Sequence, residues 1–274
     1  AGYIYNDYQQ PLNCLKALAN LIDGKHILAY LAAWDGRYNY NWPNYNACER
    51  MGGRAGLKAL VLGAHDLGIH VIPQIGAVSA NRKYLPQSLH DCASQDAYGN
   101  TFVASVDWDG DRMADSYRVN ANIGHPAFQQ FLLDQACRIT EQYGFDGMYL
   151  DITQSFHNDP RCHIAEGHKS FCKDLKAQFS DYLLWAEELY DALMGAYPLC
   201  SSYSGNFGAF TEYFEKYNRV TYHLIHPAPS GSTGVYEAGF LDPVIAEPDQ
   251  DIIPCLTVVD DTMSDYREEV MATI

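Results

Sequence analysis

The sequence predicts an α/β protein, a single (β/α)8 TIM barrel with a long insertion after its second strand. Short β-like apolar runs alternate with helical stretches, the pattern of a parallel sheet wound with helices. Eight strand candidates can be counted along the chain. Its 274 residues suit one such barrel, which needs about 250. No internal repeat or low-complexity linker divides it, so residues 1–274 are read as one domain.

Residues 1–25 form a leading segment whose helix, over 12–22, is expected to end at Gly24, a residue suited to a C-terminal cap. Strand one covers 26–33, and an aromatic and Asn-rich loop follows from Trp34 to Tyr45. A helix over 54–67 stops at Gly68, and strand two covers 69–74. Residues 76–115 are weakly periodic and are read as the insertion; loops this long inside a compact domain are usually functional. Strand three is 116–120. Pro126 opens a helix over 127–143, at a position where proline is tolerated, and Gly144 caps it. Strand four is 147–151, and a helix over 164–179 leads to strand five at 182–187. Strands six, seven and eight lie at 199–203, 220–225 and 253–258, with a terminal helix from about 264.

Composition excludes several classes. There are 18 Lys+Arg against 34 Asp+Glu, a formal net charge of −16, which argues against nucleic acid because that binding draws on Lys and Arg. With 47% hydrophobic and 19% charged residues, disorder is not expected. No apolar run approaches the roughly 18 residues that span a bilayer. The first residues have neither the basic start nor the apolar stretch of a signal peptide, so a signal was removed or the chain begins inside a longer protein. Eight cysteines occur without a C-x-x-C pair. They fit either disulfides in a secreted protein or buried thiols in a reducing compartment, and both readings stay open. Oligomeric state is not legible. The 21 tyrosines suit a surface that must grip something polar yet flat-sided.

In this fold, active sites lie at the C-terminal ends of the strands. Those positions carry Asp35, Gln74, Asn120, Asp151, Glu187, Tyr203, His226 and Asp260 with Asp261. Asp151 and Glu187 each follow an apolar run directly, one βα unit apart. Neighbouring strands lie about 4.8 Å apart, so the two carboxylates can face a common centre. Glycoside hydrolysis needs such a pair: one attacks the anomeric carbon or orients water, the other protonates the leaving oxygen. A separation near 5 Å suits retention and roughly 6.5–9.5 Å inversion. The competing expectation is that both acids pair with basic side chains or cap helices.

The first loop supports a sugar. Trp34, Tyr38, Tyr40, Trp42 and Tyr45 alternate with Asn39, Asn41, Asn44 and Asn46. Aromatic faces stack on pyranose C–H faces while amides bind hydroxyls. The alternative is a loop that packs its aromatics onto the barrel rim. Trp34, Asp35, Tyr38, Trp42, Arg118, Asn120, Tyr203, His226 and Asp260 are the expected substrate contacts, chosen for position and chemistry.

Several strings resemble a family of bacterial barrel glycosidases: His26 to Leu31, Trp34-Asp35-Gly36-Arg37-Tyr38, Pro43-Asn44-Tyr45, Gly52-Gly53, Ala64 to Val71 and Asp107 to Arg112. The resemblance continues through Tyr143 to Asp151, Asn158-Asp159-Pro160 and Ala186 to Leu193. More distantly the chain is similar to the α-amylase and α-galactosidase superfamily of retaining enzymes. That resemblance implies a nucleophile at Asp151 on strand four and a proton donor at Glu187. An amylase carries Arg two residues before its nucleophile and an α-galactosidase Lys; Tyr149 stands here, so neither substrate assignment transfers.

Other chemistries find less support. His223 and His226, with Asp260, are too few strand-end ligands for a metal-dependent hydrolase, and no metal or cofactor is expected. The run Asp107-Trp108-Asp109-Gly110-Asp111 fails as an EF-hand, since Arg112 and Arg118 occupy the positions of Gly and Glu. No strand-end Lys suits a Schiff base, and no G-x-S-x-G elbow occurs. The rival from another class is a non-catalytic carbohydrate-binding barrel.

Overall fold

The apolar alternation builds a parallel sheet. A computed structural model of the chain describes residues 4, 6–37, 39–107, 112–114, 116–202, 213, 216–223 and 252–255. Seven parallel strands lie side by side in the order β1 (Leu28–Leu31), β2 (His70–Gly76), β6 (Gly147–Asp151), β7 (Leu183–Ala186), β8 (Leu199–Ser202), β9 (Arg219–His223) and β10 (Ile252–Cys255). A separate antiparallel sheet has the order β3 (Ser79–Asn81), β5 (Ser116–Asn120), β4 (Val103–Val106).

The helices are α1 (Gln9–Leu18), α2 (Gly53–His65), α3 (Pro126–Tyr143) and α4 (Ile164–Gln178). In α2 the buried Leu57, Leu60, Val61 and Ala64 recur at helical spacing, which gives one apolar stripe facing the sheet. Gly144 ends α3 at φ 86°, with its N–H bonded to Thr140 O. Among the described residues no helix is long and apolar enough to cross a membrane.

Strand residues divide by phase, because successive side chains point to opposite faces. Val71, Ile75, Met148, Leu150, Leu184 and Ala186 join the helices in the large core. The alternate phase, Ile72, Tyr149, Trp185 and Leu199, forms a second core on the other face. Leu28 and Tyr30 from β1 and Ile253 and Cys255 from β10 pack against that same core. In a flat seven-stranded sheet the two edges would be about 29 Å apart, so the sheet curls around this inner face. Both faces are covered, which is why the strands read as near-continuous apolar runs.

Three expectations are corrected. Residues 116–120 are not a strand of the parallel sheet: β5 pairs antiparallel with β3 (Ala80↔Val119) and β4 (Val103↔Val119), and β2 pairs directly with β6. Its sequence, Ser-Tyr-Arg-Val-Asn, alternates one apolar residue with polar ones, the pattern of a half-solvated antiparallel strand. The parallel strands among the described residues therefore number seven, and Asp151 and Glu187 mark the third and fourth of them. The leading helix runs Gln9–Leu18 and does not reach Gly24. Gly24 instead starts a 3-10 turn against Leu67, where a β-carbon would come 1.8 Å from the Leu67 carbonyl oxygen. The end of the eighth expected strand and the helix from 264 lie outside the described residues.

Candidate active site

The inward phase carries the two candidate carboxylates. Tyr149 and Trp185 face the inner core, so Asp151 and Glu187, two residues further along, project to the same side. Tyr149 is in register with Trp185 and Leu150 with Ala186. The next step of that register sets Asp151 beside Glu187 at the C-terminal edge. Glu187 N–H bonds to Leu150 O at 2.9 Å, so the pairing extends past the end of β7.

The two carboxylates are also linked through the backbone. Ile152, just after Asp151, donates its N–H to Glu187 Oε2 at 2.6 Å. It does so from φ 62°, a left-handed conformation that a β-branched residue rarely adopts. Asp151 is 2% exposed. The following residues repeat the stitch: Thr153 Oγ1 donates to Glu188 O (2.6 Å) and accepts from Glu188 N–H (3.3 Å). Burial, and then the neighbouring Glu187 charge, raise the Glu188 carboxyl above its usual range. Beneath them, Trp185 donates its indole N–H to Ser201 Oγ at 2.9 Å.

The first loop is pinned to the end of β2. Trp34 donates its indole N–H to Gln74 O (2.8 Å), and Tyr45 Oη accepts from Gly76 N–H (2.9 Å). Gly76 is in register with Asp151, so this loop forms the wall next to the carboxylates. Burial pushes the Tyr45 hydroxyl well above its ordinary pKa, and the charges of Asp35 and Asp151 add to the effect. Asp35 is 3% exposed, its Oδ2 has no hydrogen-bond partner among the described residues, and burial raises its carboxyl to about 7.

The small sheet closes the other flank. Asn120 donates its amide to His157 Nε2 (2.5 Å), and the His157 ring stacks on Phe102 with centroids 4.2 Å apart. Burial lowers the His157 pKa, in keeping with an imidazole that accepts. Arg118 stands opposite Asn81, whose amide holds Tyr40 O. Two residues past His157, Asp159 accepts from Arg161 Nε (3.0 Å), Arg161 Nη2 (2.9 Å) and Gln95 N–H (3.1 Å).

Asp35, Asp151, Glu187 and the aromatic wall thus come together, with Asn120 on the flank. Trp34 and Trp42, expected as stacking faces, are each 2% exposed and belong to the large core. Trp34 packs edge-on against Tyr143 and Phe145. Rim packing, the alternative stated for this loop, describes both tryptophans. Tyr38, Tyr203, His226, Asp260 and Asp261 lie outside the described residues. Sequence reasoning missed Ile152, and no sequence signal marks its φ of 62°.

All eight cysteines are free thiols, so no disulfide staples the site. Among the described residues no group of three or more His, Cys, Asp or Glu is placed to hold a metal ion.

A curled parallel sheet with two adjacent carboxylates at its C-terminal edge gives an α/β fold of half-barrel type, with the candidate pair at the edge where barrel enzymes keep their sites. The chain is similar to a malto-oligosyltrehalose trehalohydrolase from Rhizobium sp. (strain M-11), 23% identical over 221 residues, which cover 76% of this chain and 32% of that protein. Its fold matches an alpha-N-acetylgalactosaminidase from Bifidobacterium bifidum with a TM-score of 0.64 at 15% identity, over 82% of this chain and 40% of that one. It also matches an alpha-amylase from Geobacillus thermoleovorans, solved with acarbose, with a TM-score of 0.58 at 16% identity, over 81% and 56% of the two chains. No family model matches. The chain spans about a third of the length of the curated relative. The distant similarity to the α-amylase and α-galactosidase superfamily stated from the sequence is borne out.

Proposed function

We propose that the chain is a glycoside hydrolase acting by retention through Asp151 and Glu187. The observation that carries this reading is their placement one step beyond the paired Leu150 and Ala186 of adjacent strands, with Glu187 N–H bonded to Leu150 O. Strands about 4.8 Å apart suit the roughly 5 Å separation of a retaining pair better than the wider inverting one. Asp151 attacks the anomeric carbon and forms a covalent glycosyl ester while Glu187 protonates the departing oxygen. Glu187 then takes a proton from water, which attacks the same carbon and releases Asp151. Ile152 N–H holds one oxygen of Glu187 and so fixes the carboxyl beside Asp151.

The site belongs to a single barrel-type domain, in which 76–115, joined by β5, is the insertion after its second strand. Asp35, Arg118 and Asn120 contact the sugar, joined by Tyr38, Tyr203, His226 and Asp260; Trp34 and Trp42 back the site as a wall. Carbohydrate is the substrate, and no cofactor is required.

The test is a panel of α- and β-glycosides with wild type, Asp151→Asn and Glu187→Gln, reading the first-formed anomer by NMR. Loss of about 10^3-fold or more in kcat for Asp151→Asn, with a retained anomer, is expected. Unchanged hydrolysis in either variant refutes the pair. A wild type that binds glycans and hydrolyses none is instead a non-catalytic carbohydrate-binding barrel.

A further inference from the structure

We propose that Phe156 is the sugar-stacking platform of this site, serving the part of an oligosaccharide beyond the bond that is cut. The inference rests on the carboxylate reading above. Phe156 lies five residues past Asp151 in the loop between β6 and α4, and its side chain is 56% exposed. Its ring meets Tyr190, three residues past Glu187, edge to face with centroids 5.4 Å apart and planes at 67°. The pair therefore bridges the two loops that leave the two carboxylates.

A lone exposed Phe is ordinary on a protein surface; this one stands on a loop fixed from both sides. Before it, Ile152 and Thr153 are bonded to Glu187 and Glu188. Directly after it, His157 is held by Asn120 and stacked on Phe102. Further on, Asp159 and Arg161 tie the loop to Ala93 and Gln95. An aromatic ring presented on a braced loop loses little conformational entropy when a ligand covers it. Its apolar face suits the C–H face of a pyranose. Trp34 and Trp42 are buried and offer no face, whereas Phe156 is exposed.

The expected effect depends on substrate length. A glycosyl fluoride has no sugar beyond the scissile bond, so Phe156→Ala should leave its kcat/KM unchanged. For an oligosaccharide cleaved by the wild type, kcat/KM should fall about 5- to 10-fold, through KM, and Phe156→Trp should restore it. Equal losses on both substrates, or no loss on the oligosaccharide, overturn the platform.

A binding arm separates this from failure of the hydrolase reading. Asp151→Asn and Asp151→Asn/Phe156→Ala are screened on an array of α-linked gluco- and galacto-oligosaccharides, and hits are titrated by calorimetry. Weakening of about 5- to 10-fold in the double variant supports the platform even if the wild type hydrolyses nothing. Equal affinities, or no oligosaccharide retained by Asp151→Asn, overturn it.

Discussion

The ring of Trp42 fills the space that a β-carbon on Gly76 would need. Such a carbon would lie 2.2 Å from Cε3, 2.6 Å from Cζ3 and 3.0 Å from Cδ2. Gly76 is the cross-strand neighbour of Asp151, so glycine at this position lets an indole form the wall of the site. Gly76→Ala should destabilise the protein by about 1–3 kcal/mol, the usual cost of overpacking a rigid interior. Pairing it with Trp42→Leu should recover part of that loss, because residues in contact do not add. Urea unfolding of the two single variants and the double variant checks this. Strictly additive costs would show that the ring and the glycine do not meet.

Ile152 makes a second local prediction. A half-buried isoleucine that becomes glycine ordinarily loses packing and gains chain entropy in the unfolded state. At φ 62° the same change also releases strain of about 1–3 kcal/mol. Ile27 is a matched control, since it too is partly buried against the large core but sits at φ −110°. Ile152→Gly should therefore cost about 1–3 kcal/mol less than Ile27→Gly, and it keeps the N–H that Glu187 needs. Equal costs in denaturant titrations would mean that Ile152 carries no strain.

The sheet was legible where burial on both faces makes a strand apolar throughout. Gly147–Asp151 was read to the residue, and Leu183–Ala186 and Leu199–Ser202 to within one. The misreading at 116–120 has the same root. Arg118 and Asn120 beside Val119 spell an antiparallel strand with one wet face. Asp151 and Glu187 stand out as candidates because a carboxylate directly after an apolar run is conspicuous. The fate of the aromatic loop was not legible. Nothing in Trp34 to Tyr45 tells a ring that stacks on sugar from one that stacks on Tyr143, since both demand the same residue types. That choice is made by Gly76, 34 residues from Trp42 in sequence, which admits Trp42 to the wall.

Arg161 supplies a further test. Asp159 is buried; burial alone would raise its carboxyl, but the hydrogen bonds from Arg161, and then Asn122 and Gln95, outweigh that and hold it below the usual range. Arg161 also donates to Ala93 O at 2.6 Å and to Asp91 O at 3.1 Å. Arg161→Met leaves the Asp159 charge buried without its main partner, a loss of about 3–5 kcal/mol. Asp159→Asn added to Arg161→Met removes that charge and should regain part of the loss. A double variant no more stable than Arg161→Met, by thermal unfolding at pH 7, would rule out the stranded charge as the cause.

Asp35 and His168 give stability opposite dependences on pH. Burial raises the Asp35 carboxyl to about 7 and lowers the His168 imidazole to about 3. In the unfolded chain these groups titrate near 3.8 and 6.5. Between those two values the folded protein holds a proton on Asp35 that the unfolded chain releases, so Asp35 makes stability fall as pH rises. Over the same window the unfolded chain protonates His168 and the folded protein does not, so His168 makes stability rise with pH. Each slope is about 1.4 kcal/mol per pH unit, and together they cancel. From these two groups the wild type should have a plateau between about pH 4 and 6.5. Asp35→Asn should uncover a stability that climbs across that window, and should gain most on the wild type above pH 7. His168→Asn, which keeps an acceptor for the Tyr197 hydroxyl 2.6 Å from Nδ1, should uncover the opposite fall. Urea titrations at half-unit steps read the slopes, which are independent of whatever packing each substitution costs. Two variants that both track the wild-type profile would show that neither group is held in its neutral form by the fold.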